Sequence, residues 1–160
     1  MLTEKQILTF HQMEQSQLDY YSLVCCRTGD LESLRYLLNS SNLKEHVNIH
    51  YYDDLFLRTT CDNGYLHIVK FLLTSPELKE HADIHAIEDA AFKSVIKNEY
   101  IDLLKYLIFD YKIEETSHIN TYLMNENRND IIKMFERREL EENLQHSLIK
   151  NSLLERKLKI

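Results

Sequence analysis

The chain contains an internal repeat with a period of 35 residues. The segment LKEHVNIH at residues 43–50 returns as LKEHADIH at residues 78–85. When residues 31–50 are aligned with residues 66–85, ten of the twenty positions are identical, and the only two glycines of the chain fall in one register. This period lies among those of helical repeat proteins, in which each copy buries its apolar side against its neighbours.

Further copies follow with weaker identity. NEYIDLLKYLI at residues 98–108 aligns with NGYLHIVKFLL at residues 63–73, so Glu99 stands at the position of Gly64. A fourth copy, NRNDIIKMF at residues 127–135, aligns only at a shorter spacing of 28 residues. We therefore expect three to four copies, the last with a shortened connection.

Each copy has the pattern of two short helices. Asp54 is predicted to be the N-cap of a first helix, because a carboxylate there accepts hydrogen bonds from free backbone N–H groups. Asp19 and Asp89 lie in the same register and are predicted to cap the first helices of their own copies. Gly29 and Gly64 predict the end of that helix, since glycine adopts the positive φ of a sharp turn.

The second helix of the best-defined copy is predicted at residues 66–74. Its apolar residues follow the i, i+3, i+6, i+7 pattern of a buried face: Leu66, Val69, Leu72 and Leu73. Only two Gly and one Pro occur in 160 residues, which disfavours a sheet with many turns and favours an all-α fold.

In this order of turn, helix and hairpin the chain resembles the ankyrin repeat. NGYLHIVKFLL followed by HADIHA is similar to that family's glycine turn, LEIVKLLL-like helix and GADVNA-like hairpin. The resemblance is good over residues 19–110 and weak over 111–138. It implies an ankyrin-like helical solenoid of three to four helix-turn-helix repeats with flanking N- and C-terminal helices.

The expected organisation is a single domain over residues 1–160. Residues 1–17 would form an N-terminal capping helix, residues 18–138 the repeats, and residues 139–160 a C-terminal amphipathic helix. In that last helix, apolar residues recur at near-helical spacing: Leu140, Leu144, Leu148, Ile149, Leu153, Leu154 and Leu158. They would either cap the open end of the stack or pair with another chain as a coiled-coil seam; we expect a cap and a monomer.

The repeated histidines raise the question of a metal site. His81 and His85 are four residues apart, but the resemblance places both beyond the second helix, so the helical argument for a shared ligand face does not apply. His81 stands at the glycine position of the family's hairpin, where we expect a left-handed conformation. We expect no metal and no cofactor; the alternative is a zinc site in which His46, His50, His81 and His85 line up across adjacent hairpins.

The three cysteines are expected to be structural. Cys25, Cys26 and Cys61 contain no C-x-x-C pair and stand where the ankyrin family keeps small residues between helices. A buried free cysteine behaves as a small hydrophobe. No sequence motif for a hydrolase, a nucleotide-binding loop or a metalloprotease is present, so we expect no enzyme activity.

The resemblance implies where a partner would bind. In ankyrin-like stacks the partner meets the hairpin tips and the exposed side of each first helix. By register the predicted partner-binding residues are Arg27, Thr28, Tyr51, Tyr52, Asp54, Asp62, Asn63, Ile87, Asp89, Lys97 and Asn98. Adjacent tyrosines at a loop tip favour a binding hot spot, unless one of them packs beneath the hairpin.

The charge of the chain limits the class of partner. Its 19 Lys and Arg are outnumbered by 26 Asp and Glu, giving a net charge of -7, which disfavours nucleic acid and favours a protein with a basic surface. We expect no membrane association, and a location in the cytoplasm, or in a host cytoplasm if the protein is an effector.

The favoured function is that of a non-catalytic protein-binding module, an effector or inhibitor that sequesters or tethers its partner. The effector role rests on scarce Ala and Gly beside abundant Leu, Ile, Lys and Asn, a composition typical of AT-rich bacterial, phage and large-virus genomes. The alternatives are a metal-binding protein that uses the repeated histidines and a scaffold that self-assembles through the C-terminal helix.

Overall fold

The computed structural model describes residues 2–157, with side chains described for residues 2–150. Over residues 2–157 the chain is helical and contains no strand, which confirms the all-α class. The helices are α1 (Glu4–Gln12), α2 (Gln15–Thr28), α3 (Leu31–Asn39), α4 (Tyr51–Asp62), α5 (Leu66–Thr74), α6 (Ala86–Lys97), α7 (Ile101–Lys105), α8 (Ser117–Asn125) and α9 (Asn129–Lys157). A π-helical turn, Tyr106–Asp110, continues α7.

The N-terminal segment contains a break inside the range predicted for one helix. Thr3 and Gln6 form a capping box at the start of α1, which satisfies free backbone N–H groups. The chain leaves helical geometry after Gln12, and α2 begins at Gln15 with Glu14 as its N-cap. The predicted capping helix at residues 1–17 is therefore shorter, and its last residues belong to the first copy.

The helix-turn-helix unit occurs four times in the part of the chain that is described. The residue between the two helices has a positive φ in every copy: Gly29 (81°), Gly64 (72°), Glu99 (57°) and Asn127 (53°). The next residue donates its backbone N–H to the carbonyl five positions earlier: Asp30 to Cys25, Tyr65 to Thr60, Tyr100 to Val95 and Arg128 to Leu123. These bonds satisfy carbonyls at the end of each first helix, and they identify the shortened fourth copy.

The chain divides into two compact units, Met1–Leu104 and Lys105–Ile160. In the first unit, α4 packs between α2 and α6, and each of α2 and α4 also packs against its own second helix, α3 and α5. Fully buried side chains of this core include Leu18, Leu34, Phe56, Leu57, Ile68, Leu72 and Phe92. The first helices thus form the row that joins consecutive copies.

The predicted second helix, residues 66–74, matches α5. Its buried face is rotated slightly from the prediction, because Ile68 is fully buried whereas Leu66 is only half-buried. Val69, Leu72 and Leu73 are buried as expected.

The predicted aspartate N-caps are wrong. Asp19 lies inside α2, and the N-cap residues preceding α4 and α6 are His50 and His85. Asp54 and Asp89 are the last residues of a left-handed turn and are buried, and their carboxylates accept hydrogen bonds from the preceding histidines, His50 and His85.

In the second unit, α8 packs against α9, and the π-helical turn also contacts α9. Arg138 on α9 donates to the carbonyls of Ile108 (3.4 Å) and Ile113 (2.7 Å). Ile131 and Phe135 supply the buried side of α9.

The leucines beyond Arg138 do not cap a core. Leu140, Leu144, Leu148 and Ile149 are all exposed, which contradicts the expected capping role of these side chains. Leu158 lies outside the described residues, as do the side chains of Leu153 and Leu154. No helix in the described chain is both long enough and apolar enough to cross a membrane.

Candidate partner-binding surface

The predicted partner-binding residues divide into exposed and buried positions on the first unit. Eight are exposed: Arg27, Thr28, Tyr52, Asp62, Asn63, Ile87, Lys97 and Asn98. Tyr51 is half-buried, and Asp54 and Asp89 are only 4% and 1% exposed. The two aspartates were predicted to contact a partner, and their burial rules out direct contact in this conformation.

Two of the exposed residues occupy the same position in consecutive copies. Tyr52, 70% exposed, and Ile87, 52% exposed, each begin a run of three residues with positive φ. Left-handed backbone costs a non-glycine residue roughly 1–2 kcal/mol, and for β-branched isoleucine it is a true outlier. Strain of this kind tends to be kept where it presents a functional group. We call these two turns, Tyr52–Asp54 and Ile87–Asp89, the left-handed tips.

Each left-handed tip is closed by a histidine and an aspartate. His50 Nδ1 donates to Asp54 Oδ1 at 3.0 Å, and His85 Nδ1 donates to Asp89 Oδ1 at 2.5 Å. Asp54 Oδ1 also accepts the backbone N–H of Asp83 at 3.0 Å, which joins one copy to the next. The buried aspartates therefore position the tips rather than contact a partner.

The residues preceding each tip also repeat. Asn48 Oδ1 accepts the backbone N–H of His50 at 2.9 Å, and Asp83 Oδ1 accepts that of His85 at 2.8 Å. These are Asx turns, in which a side chain replaces a backbone acceptor. The repeated histidine is thus explained by a local turn that it helps to close.

Of the two adjacent tyrosines, Tyr51 is packed and Tyr52 is exposed. The ring of Tyr51 stacks on buried Phe56, with centroids 5.5 Å apart and an interplanar angle of 16°. Tyr52 meets the Tyr51 ring edge-on at 4.6 Å and remains exposed. Tyr52 is consequently the tyrosine available to a partner, whereas Tyr51 supports it.

The ends of the first helices form a second part of the surface. Arg27 and Thr28, Asp62 and Asn63, and Lys97 and Asn98 follow one another at intervals of 35 residues. Adjacent copies are bonded here: Ser94 Oγ donates to the Asp62 carboxylate, and Tyr100 Oη donates to the Asp62 carbonyl at 3.2 Å. The result is a row of exposed polar side chains of mixed charge on a fixed backbone.

The histidines do not converge on a metal site within the described residues, where no group of three or more His, Cys, Asp or Glu side chains could hold a metal ion. His81 Nε2 contacts the carbonyl of Ser75 at 2.9 Å. Its φ is not positive, so the expected left-handed conformation of His81 is wrong; the left-handed residues lie further along, in the tips.

The cysteines are buried thiols without disulfide partners. Burial raises the pKa of Cys25 and of Cys26 to about 12, and it raises the pKa of Cys61 still further. Since the thiolate is the reactive form, these side chains lack the property that a nucleophilic cysteine needs.

One residue that supports this surface was not predicted from the sequence. Arg58 donates from Nη2 to the Tyr52 carbonyl at 2.7 Å and from Nε to the Asp53 carbonyl at 3.0 Å, which holds the first tip. No local sequence pattern predicts this role of Arg58.

Compared with known proteins, the chain matches no family model, no curated protein and no solved structure.

Proposed function

We propose that the chain is a non-catalytic protein-binding module built as an ankyrin-like stack, which sequesters or tethers its partner. The observation that carries this proposal is the pair of left-handed tips. Each presents one large hydrophobic side chain, Tyr52 or Ile87, from a strained backbone closed by a part-buried His–Asp contact. Apolar side chains on a rigid frame bind at low entropic cost.

The chemistry of the tips indicates the kind of partner surface. Exposed Asp53 follows Tyr52, and exposed Glu88 follows Ile87. Residues 1–104 contain nine Lys and Arg against sixteen Asp and Glu, so the net charge of -7 resides entirely in the first unit. A partner with apolar pockets rimmed by Lys or Arg would match these tips in shape and charge.

The proposal is tested by capturing partners from the source cells with the full chain and titrating the purified partner against variants. Tyr52→Ala combined with Ile87→Ala should weaken binding by roughly tenfold or more, as expected for central hot-spot residues. The unfolding temperature should change little, because both side chains are exposed. Tyr51 is left intact, since its ring packs on Phe56.

Leu8→Ala provides a matched control. Leu8 is a comparably exposed apolar side chain on α1, outside the tips. Its removal should leave the affinity unchanged. Equal affinities for wild type, the tip variant and the control would refute the assignment of the tips as the binding surface.

A further inference from the structure

The C-terminal part of α9 exposes most of its side chains. From Glu139 to Lys150 every side chain is exposed except that of Glu142, which is half-buried and is bonded to Lys112 Nζ at 2.8 Å. The helix nevertheless continues to Lys157. In proteins most of the stability of a helix comes from packing of its apolar face. Four large aliphatic side chains, Leu140, Leu144, Leu148 and Ile149, are 58–69% exposed along it.

The residues of this segment follow a heptad pattern. Spacings of four and three residues lead from Leu140 to Leu144, Ser147, Asn151 and Leu154. With Leu140 at position d, Leu144 and Asn151 are at position a. One heptad earlier the same positions hold Lys133 and Arg137, so the apolar seam begins where α9 leaves the packed part of the second unit.

We propose that this segment pairs in parallel with the same segment of a second copy of the chain, forming a short two-stranded coiled coil. A single asparagine at position a is the feature that fixes register and a two-stranded state in parallel coiled coils. Asn151 occupies that position. The proposal is independent of the binding surface on the first unit, and it replaces the expectation of a monomer.

Charge complementarity selects the parallel orientation. In a parallel pair, a residue at position g faces the residue five positions later in the other helix, at position e. Lys150 is at g and Glu155 is at e, so each copy would contribute one attractive pair. At the start of the seam Glu136 is at g and Glu141 is at e, so each copy would also contribute one repulsive pair there. An antiparallel arrangement would instead bring positions e together, placing Glu141 opposite Glu155.

Sedimentation equilibrium of the full chain, from micromolar to millimolar concentration, tests the pairing. Wild type should show a reversible monomer–dimer equilibrium. Leu144→Glu should raise the dissociation constant by roughly 100-fold or more, because two carboxylates would enter an apolar seam. Ile149→Glu is the matched control, since Ile149 is equally exposed but lies at position f, opposite the seam; it should dimerise like wild type.

A charge exchange tests the orientation. Lys150→Glu should weaken the dimer by about tenfold, and adding Glu155→Lys should restore it. Circular dichroism should show the remaining helices unchanged in all variants. A wild-type chain that stays monomeric at millimolar concentration overturns the proposal, and so does a monomer that binds anionic lipid vesicles instead. Equal weakening of the dimer by Leu144→Glu and Ile149→Glu also overturns it. Failure of the exchange to restore dimerisation overturns the parallel orientation.

Discussion

Gly64 has two structural roles that only glycine combines. Its φ of 72° is left-handed, and a Cβ atom there would lie 2.8 Å from the ring of Tyr100, which belongs to the following copy. Gly29 has the same relation to Tyr65 at 2.9 Å. The glycine turn therefore both reverses the chain and leaves room for the aromatic ring that covers it.

Gly64→Ala should destabilise the protein by about 1–2 kcal/mol from backbone strain alone, with a further loss from displacement of the Tyr100 ring. Urea unfolding measures the change. Glu99→Gly is the reciprocal variant, because Glu99 holds the same left-handed position at φ 57° without being glycine. It should stabilise by roughly 0.5–1 kcal/mol, since relief of strain exceeds the added chain entropy; destabilisation by Glu99→Gly would contradict this reading of the turns.

Asp19 lacks the histidine that its counterparts have. Asp54 and Asp89 accept from His50 and His85, but Asp19 accepts only the neutral amide of Gln15, at 2.7 Å. Burial raises the pKa of Asp19, and the Gln15 hydrogen bond only partly offsets this. The ionised carboxylate of Asp19 is thus less stable in the folded chain than in the unfolded chain.

Asp19→Asn should therefore raise the unfolding temperature at neutral pH. Because the pKa of Asp19 is higher in the folded chain than in the unfolded chain, the unfolded chain loses this proton at lower pH. The stability of the wild type therefore falls as the pH rises through the interval between the two pKa values. The advantage of the variant should disappear as the pH drops below the usual range of a carboxyl pKa. Thermal unfolding across the acidic range measures this, and a variant less stable than wild type at neutral pH would count against it.

At the level of single residues, the sequence predicts the glycines but not the aspartates. The conformation at Gly64 follows from the residue itself, since no other side chain adopts positive φ so readily. Asp54 looks like an N-cap because capping is its commonest local role. Its actual contact with the Asp83 backbone comes from the next copy, and local sequence does not contain that information.

Among the elements, α5 shows how far the apolar periodicity of a second helix predicts which of its residues are buried. The periodicity of α5 predicts its ends, and three of the four residues predicted to be buried are buried; Ile68 and Phe71 are buried as well. Ile68 is buried whereas Leu66 is half-buried, and α5 packs against α4. The period of apolar residues alone does not predict which side of α5 makes that contact.

Leu72→Ala should reduce the free energy of unfolding by about 2–5 kcal/mol, because Leu72 is fully buried and its truncation leaves a cavity. Leu66→Ala on the same helix should cost clearly less, since that side chain is half-buried. Urea unfolding of the two variants measures the difference. Equal losses would show that the buried face of α5 is misplaced.

The molecule as a whole has its excess negative charge on one unit. Residues 105–160 carry ten Lys and Arg and ten Asp and Glu, so they are formally neutral. The uneven distribution follows directly from the sequence. The division into two compact units does not, because the repeat pattern continues across residue 104 without interruption.

Association with the captured partner should become slower as ionic strength increases, because steering by net charge is screened by salt. The dissociation rate should change little, since the tips bind through apolar side chains. Surface plasmon resonance at several salt concentrations separates the two rates. An association rate independent of salt would contradict the proposed basic rim on the partner.

If the copies form a regular stack, consecutive copies are related by one constant rotation and step. A crystal structure of the full chain would measure this operation. We expect that the operation superposing α2 on α4 also superposes α4 on α6, and carries Tyr52 onto Ile87. Two different operations, or a strand in place of either left-handed tip, would contradict it.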